Sequence, residues 1–115
     1  MKNSDLQRLE HMKIYCEDIA DAIATYGNDF AVFSNNVHYR NSVAMSLQQI
    51  GELSGLLSVE FRGAHNMLCG PMKGMRNVIA HAYHSANREI LWQTATEDIP
   101  LLLEFCEEIV SKGLN

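Results

Sequence analysis

The segment Met75-Arg76-Asn77-Val78-Ile79-Ala80-His81-Ala82-Tyr83-His84 gathers a guanidinium, an amide, two imidazoles and a phenol. Those groups suit chemistry at a phosphodiester. An imidazole changes charge near neutrality, so His81 could take a proton from a ribose 2′-OH or deliver one to a leaving oxygen. A fixed guanidinium, Arg76, could stabilise the extra negative charge on pentacoordinate phosphorus, because its forked donors match phosphate oxygens. Asn77 could orient His81 or hold a phosphate oxygen. His11, His38 and His65 stand alone in the sequence and read as surface or partly buried structural histidines.

The helix period sets limits on how these groups meet. Arg76 and Tyr83, seven apart, fall about 20° from one another on a helix and share a face. Asn77 and His81, four apart, also stack, with His84 three beyond. The two stripes are separated by roughly 100–140° on a straight helix. Arg76 and His81 therefore reach one ligand only if the Arg side chain wraps round, the helix end distorts, or a second copy of the segment faces the first. A symmetric dimer with these helices on its two-fold axis would bring Arg76 and His81 of both chains around one cleft. On spacing alone, such a set is more often a polar helix face or a dimer contact.

The elements that would position the segment read as helices. Leu6, Leu9, Met12, Cys16, Ile19, Ile23 and Tyr26 recur every three or four residues. Ser4 followed by Gln7 predicts a capping box at the start, and Gly27-Asn28-Asp29 a stop. A second helix is expected from the Ser34-Asn35-Asn36 caps, with Val43, Leu47, Ile50 and Leu57 on its apolar face. Gly51 and Gly55 inside it each cost roughly 1 kcal/mol relative to Ala, which close backbone packing would offset. Residues 58–70 predict a short helical turn at Val59-Glu60-Phe61 and then a loop. Pro71 suits the first turn of a third helix, running through Met72, Met75 and Ile79 to about Tyr83.

The last helix is expected after Ser85 or Asn87, burying Ile90, Leu91, Thr94, Leu102, Phe105 and Ile109, with a kink or break at Pro100. Trp92 reads as core and the Met72/Met75 pair as core or interface filler. Cys69 falls in the predicted loop. No stretch alternates with period two. The expected fold is all-α, a four- to five-helix antiparallel bundle formed as one domain over residues 1–115.

Composition narrows the function. The 115 residues are 47% hydrophobic and 20% charged, which excludes a disordered chain. Nine Lys+Arg against fourteen Asp+Glu give a net charge of −5, so no broad basic face for duplex nucleic acid is expected. Any nucleic-acid site must be local. The three cysteines, Cys16, Cys69 and Cys106, are widely spaced and support neither a disulfide framework nor a structural zinc site. The opening MKNSDLQRLEHMK has no apolar signal core, and no run approaches the roughly 18 apolar residues of a membrane span. Cytoplasmic location is the expectation.

Arg76-Asn77-Val78-Ile79-Ala80-His81-Ala82-Tyr83 resembles the Arg-x4-His-x-Tyr signature of HepT-like proteins in the HEPN superfamily. Ile50-Gly51-Glu52 is similar to that family's Ile-Gly-Glu in the preceding helix. Ile90, Trp92, Glu97-Asp98 and Pro100 resemble the pattern of its last helix. The likeness runs over residues 5–110. Gly63 to Lys73 departs from it in lacking the Trp that many members carry before the motif. The resemblance implies an all-α, HEPN-like homodimer acting as the toxin of a type VII toxin–antitoxin pair. It implies a metal-independent RNase without cofactor, with Arg76 and His81 catalytic and Asn77 as polar support. The implied partner is a MntA-like nucleotidyltransferase antitoxin that transfers AMP to Tyr83. Because some HEPN relatives lack nuclease activity, a noncatalytic module that partners a nucleotidyltransferase is the alternative.

Overall fold

Helix α1 (Asn3–Tyr26) is the element against which the two other long helices of the described residues pack. The computed structural model describes residues 2–65 and 87–113. After α1 come α2 (Phe30–Asn35), α3 (Val37–Leu56) and α4 (Val59–Ala64). Then follow α5 (Arg88–Gln93), a π-helical turn (Thr94–Asp98) and α6 (Ile99–Gly113). No strand occurs among the described residues. The architecture is an all-α bundle, as the apolar spacing predicts.

Leu9, Met12, Cys16, Ile19 and Ala22 form the buried stripe of α1. They face Tyr39, Val43, Leu47 and Ile50 of α3 on one side, and Ile99, Leu102, Cys106 and Ile109 of α6 on the other. Spacings of three and four keep each set on one side of its helix, so three rods share one core. Burying each such side chain stabilises the fold by about 1.5–3 kcal/mol before conformational entropy is counted. Leu6 and Ile23 flank this core half-buried, whereas Tyr26 is 40% exposed.

Three expectations about helix ends need correction. The predicted capping box does not form: Lys2 is the N-cap of α1, without a side-chain bond, and Ser4 lies inside the helix. Asp5 has been drawn off to another partner, described below. Gly27 does end α1, but with φ 115° and ψ 140° rather than in the left-handed helical conformation. That region is essentially confined to glycine. Asp29 does not merely continue the stop. Its carboxylate accepts from the backbone N–H of Ala31 at 2.8 Å and of Val32 at 3.2 Å, starting the unexpected short helix α2.

The caps at Asn36 and Asn87 follow the sequence, and one at Ser58 is added by the structure. Asn36 Oδ1 accepts from the N–H groups of His38 and Tyr39 to open α3, and Asn87 Oδ1 accepts from Ile90 N–H to open α5. Ser58 Oγ accepts from Phe61 N–H to open α4, which is longer than the single turn expected.

The interruption expected at Pro100 takes the form of the π turn directly before it. Ile99 N–H donates to Thr94 O, a five-residue step. A proline offers no N–H and its ring crowds the carbonyl four residues back, here Thr96, so a widened turn at that point relieves the clash. Thr94 and Thr96 hydroxyls donate to the carbonyls of Ile90 and Trp92, each at 2.8 Å. Ile90, expected to be buried, is 37% exposed in the first turn of α5, while Leu91 and Thr94 are buried as expected.

Candidate functional site

Arg76, Asn77, His81, Tyr83 and His84, with the third helix expected to carry them, lie outside the described residues. What the structure describes is the frame on either side. The chain runs up to that segment at His65 and resumes at Asn87. His65 is stacked on Phe61, ring centroids 4.5 Å apart, and meets Phe105 of α6 edge-on at 5.6 Å. Asn87 is fixed as the cap of α5. Both ends are therefore tied to the α5–α6 rod, one at its start and one well along it.

An aromatic cluster holds the Asn87 end. Trp92, in α5, lies 5.1 Å from Phe33, 6.1 Å from Tyr39 and 6.4 Å from Phe30, as ring centroids. Tyr39 stacks on Tyr26 at 4.9 Å and donates its hydroxyl to Gly27 O at 3.0 Å. Burial pushes the Tyr39 phenol above its ordinary value, which keeps it a neutral donor. The cluster thus joins the end of α1, Phe30 and Phe33 of α2, the start of α3 and the end of α5. Trp92 is part of this packing, as expected.

Of the stretch in α3 that resembles Ile-Gly-Glu, Ile50 and Gly51 are buried and Glu52 is exposed. Within the π turn, burial and the adjacent Glu97 charge push the Asp98 carboxyl above the ordinary aspartate value. Cys16 and Cys106 are both buried free thiols. Burial first, then neighbouring charge, raises both, Cys106 to about 12. They are core atoms, not nucleophiles. Among the described residues no three His, Cys, Asp or Glu side chains converge as a metal site, and no helix is long and apolar enough to cross a membrane.

Two arginines converge where the sequence showed no pairing. Arg40 and Arg88 each donate from Nη1 to Ser34 O, the Arg88 bond measuring 2.8 Å, and Arg88 also reaches Ser34 Oγ at 3.4 Å. Forty-eight positions separate them, so no local spacing could have found the pair. A cleft of about 490 Å³ elsewhere, lined by Lys2, Asp5, Ser58, Glu60, Phe61, Ala64 and His65, contains two carboxylates and suits a polyanion poorly.

A family described as "Ribonuclease HepT-like" matches residues 12–109. The chain is 33% identical over 107 residues to "Putative RNase TTE0752" of Caldanaerobacter subterraneus subsp. tengcongensis, covering 90% of this chain and 92% of that one. It is 34% identical over 96 residues to "Probable ribonuclease HepT" of Thermococcus cleftensis, covering 78% and 87%. A third relative, "Putative RNase MJ1380" of Methanocaldococcus jannaschii, is 34% identical over 73 residues, covering 63% and 67%. No solved structure matches the chain. With a match spanning the bundle and the motif together, this chain belongs to the HepT-like family of the HEPN superfamily.

Proposed function

We propose that this protein is an RNA-cleaving toxin whose site is built from Arg76 and His81 of two chains. The observation that carries the reading is the family match across residues 12–109, which contains the whole Arg-x4-His-x-Tyr segment, together with relatives named as RNases. In the proposed reaction His81 takes the proton of a ribose 2′-OH, and the freed oxygen attacks the adjacent phosphorus. Arg76 stabilises the charge that gathers on the phosphoryl oxygens. The bond to the 5′ oxygen breaks, and that oxygen takes a proton from the imidazolium of either chain. The products are a 2′,3′-cyclic phosphate end and a 5′-hydroxyl end. Asn77 holds His81 or a phosphoryl oxygen, and no metal ion is required by these steps.

The second half of the proposal is control. A MntA-like nucleotidyltransferase antitoxin transfers AMP from ATP to the Tyr83 hydroxyl, forming an O–P bond and releasing pyrophosphate. The added group brings bulk and negative charge two residues from His81, and both oppose an incoming RNA phosphate.

The test is expression of the chain alone beside His81→Ala and Arg76→Ala, with growth and RNA integrity measured. Wild type should arrest growth and cleave RNA, and each variant should lose about 10²-fold or more of cleavage. A harmless wild type that leaves RNA as intact as the variants do would overturn the ribonuclease reading in favour of a noncatalytic partner module.

A further inference from the structure

Most cations among the described residues are matched with carboxylates. Lys2 pairs with Glu60, Arg8 with Asp5, Lys13 with Glu17 and Lys112 with Glu108. Arg40, Arg62 and Arg88 are not, and of these Arg40 and Arg88 come together. Neither has an ion pair with any described carboxylate, and both point an Nη1 at the same carbonyl oxygen. Two nitrogens within hydrogen-bond distance of one oxygen stand no farther apart than the two bond lengths together. A protein of net charge −5 thus places two permanent positive charges side by side.

Capping the end of α2 does not account for this arrangement. One guanidinium suffices to serve Ser34 O, and the second adds like-charge repulsion. Arg88 is moreover the first residue of α5, where the helix end is itself positive and a cation is disfavoured. Each guanidinium carries five N–H donors and commits one nitrogen to Ser34, so among the described residues forked donors remain on both. Arg88 is exposed and Arg40 is half-buried. An anion bridging the pair would relieve the repulsion and take up those donors. The position is also close to the motif along the chain: Arg88 stands five residues after Tyr83, and five residues reach at most about 18 Å.

We propose that Arg40 and Arg88, held together on the Ser34 carbonyl, clamp a backbone phosphate of the RNA flanking the cleaved bond. This rests on the ribonuclease reading above and adds a second anchoring point, formed by residues outside the signature. The recognised chemistry is a phosphodiester, read as charge and forked hydrogen bonding, without base preference.

The experiment measures binding of a fluorescent single-stranded 2′-O-methyl oligoribonucleotide, which cannot be cleaved through its 2′ oxygen, across a salt series. The proteins are wild type, Arg40→Gln/Arg88→Gln, and Arg40→Lys/Arg88→Lys. The glutamine pair should bind about 10–100-fold more weakly at moderate salt. The slope of log affinity against log salt should flatten by about 0.7, the contribution of one phosphate contact on a single strand. The lysine pair should recover the slope and part of the affinity. A wild-type affinity and slope in the glutamine pair, or a lost affinity with an unchanged slope, would overturn the clamp. If the double variant fails to fold, the exposed Arg88→Gln alone decides, with a weaker affinity and a flattening of at most about 0.7 expected, and a wild-type affinity and slope overturning the clamp. Wild type that cleaves RNA while the glutamine variants bind normally removes the clamp alone. Wild type that neither binds nor cleaves removes both readings.

Discussion

Asp5 and Ser58, fifty-three positions apart, are joined by two hydrogen bonds: the Asp5 carboxylate accepts from Ser58 N–H at 2.8 Å and from Ser58 Oγ at 2.6 Å. The carboxylate is only 1% exposed, and it ties the first turn of α1 to the first turn of α4. Arg8 stands 4.0 Å from it and donates to Leu56 O at 2.6 Å, closing the same corner. The segment that leads out of α4 toward the motif therefore starts from a fixed point.

This pair makes stability depend on acid. Burial by itself raises the Asp5 pKa, but the Ser58 bonds and the Arg8 and Lys2 charges outweigh it and hold the group below its ordinary 3.8. A depressed carboxylate stabilises the fold at pH above its unfolded value, and the contribution is lost as pH falls through the folded value. Asp5→Asn should cost about 1–3 kcal/mol at pH 7 in denaturant unfolding. The gap to wild type should narrow as pH drops below 3.8. A gap independent of pH would refute the assignment.

Gly27 offers a cleaner backbone test. A Cβ added there would meet nothing within 4 Å, so a substitution is felt through φ alone. Both Gly27→Ala and Gly27→Asn should destabilise by about 1–3 kcal/mol, because asparagine's tolerance for left-handed helical geometry does not extend to this extended, positive-φ region. Thermal melts that show Gly27→Asn at wild-type stability would contradict the geometry.

Trp92 is the one tryptophan in the chain, so its fluorescence reports the aromatic cluster directly. Emission should be blue-shifted in the native protein and move red in a single transition on unfolding. Trp92→Ala should cost about 3–5 kcal/mol, the range for deleting a large packed aromatic, and Trp92→Phe clearly less. An emission maximum unchanged by denaturant would show that the cluster is not formed.

The buried thiols predict silence. Native protein treated with iodoacetamide near pH 8 should acquire no label at Cys16 or Cys106, and both should react fully in guanidinium chloride. Peptide mass mapping distinguishes them from Cys69. Rapid native labelling of either would mean that the α1–α6 contact opens easily.

For the proposed activity, intact mass after co-expression with a MntA-like nucleotidyltransferase should rise by one or more AMP units, and Tyr83→Phe should abolish the shift. RNA cleavage by unmodified protein should persist in a chelator, as metal-free general acid–base catalysis requires. Loss of cleavage that added Mg²⁺ restores would overturn the metal-free mechanism.

The helical class, the buried stripes of α1 and α3, the caps at Asn36 and Asn87 and the motif itself are legible in the sequence. Each depends on residues within a turn or two of one another, where the helix period and local capping bonds dominate. The motif's arrangement as a site was not legible, because Arg76 and His81 fall on different stripes and need a fold, or a second chain, to converge.

Tertiary structure decided the rest. Ser4 lost its predicted cap role while Asp5 was recruited by Ser58; local propensity yields to a buried carboxylate that must find donors. Ile90 lies 37% exposed in the first turn of α5 while its predicted stripe neighbours Leu91 and Thr94 are buried, a split that periodicity does not show. The meeting of Arg40 and Arg88 on Ser34 belongs to no pattern at all. Periodicity reports which face of a helix is apolar. Which distant groups those faces bring together depends on how the helices cross, and that is set by packing across the whole core.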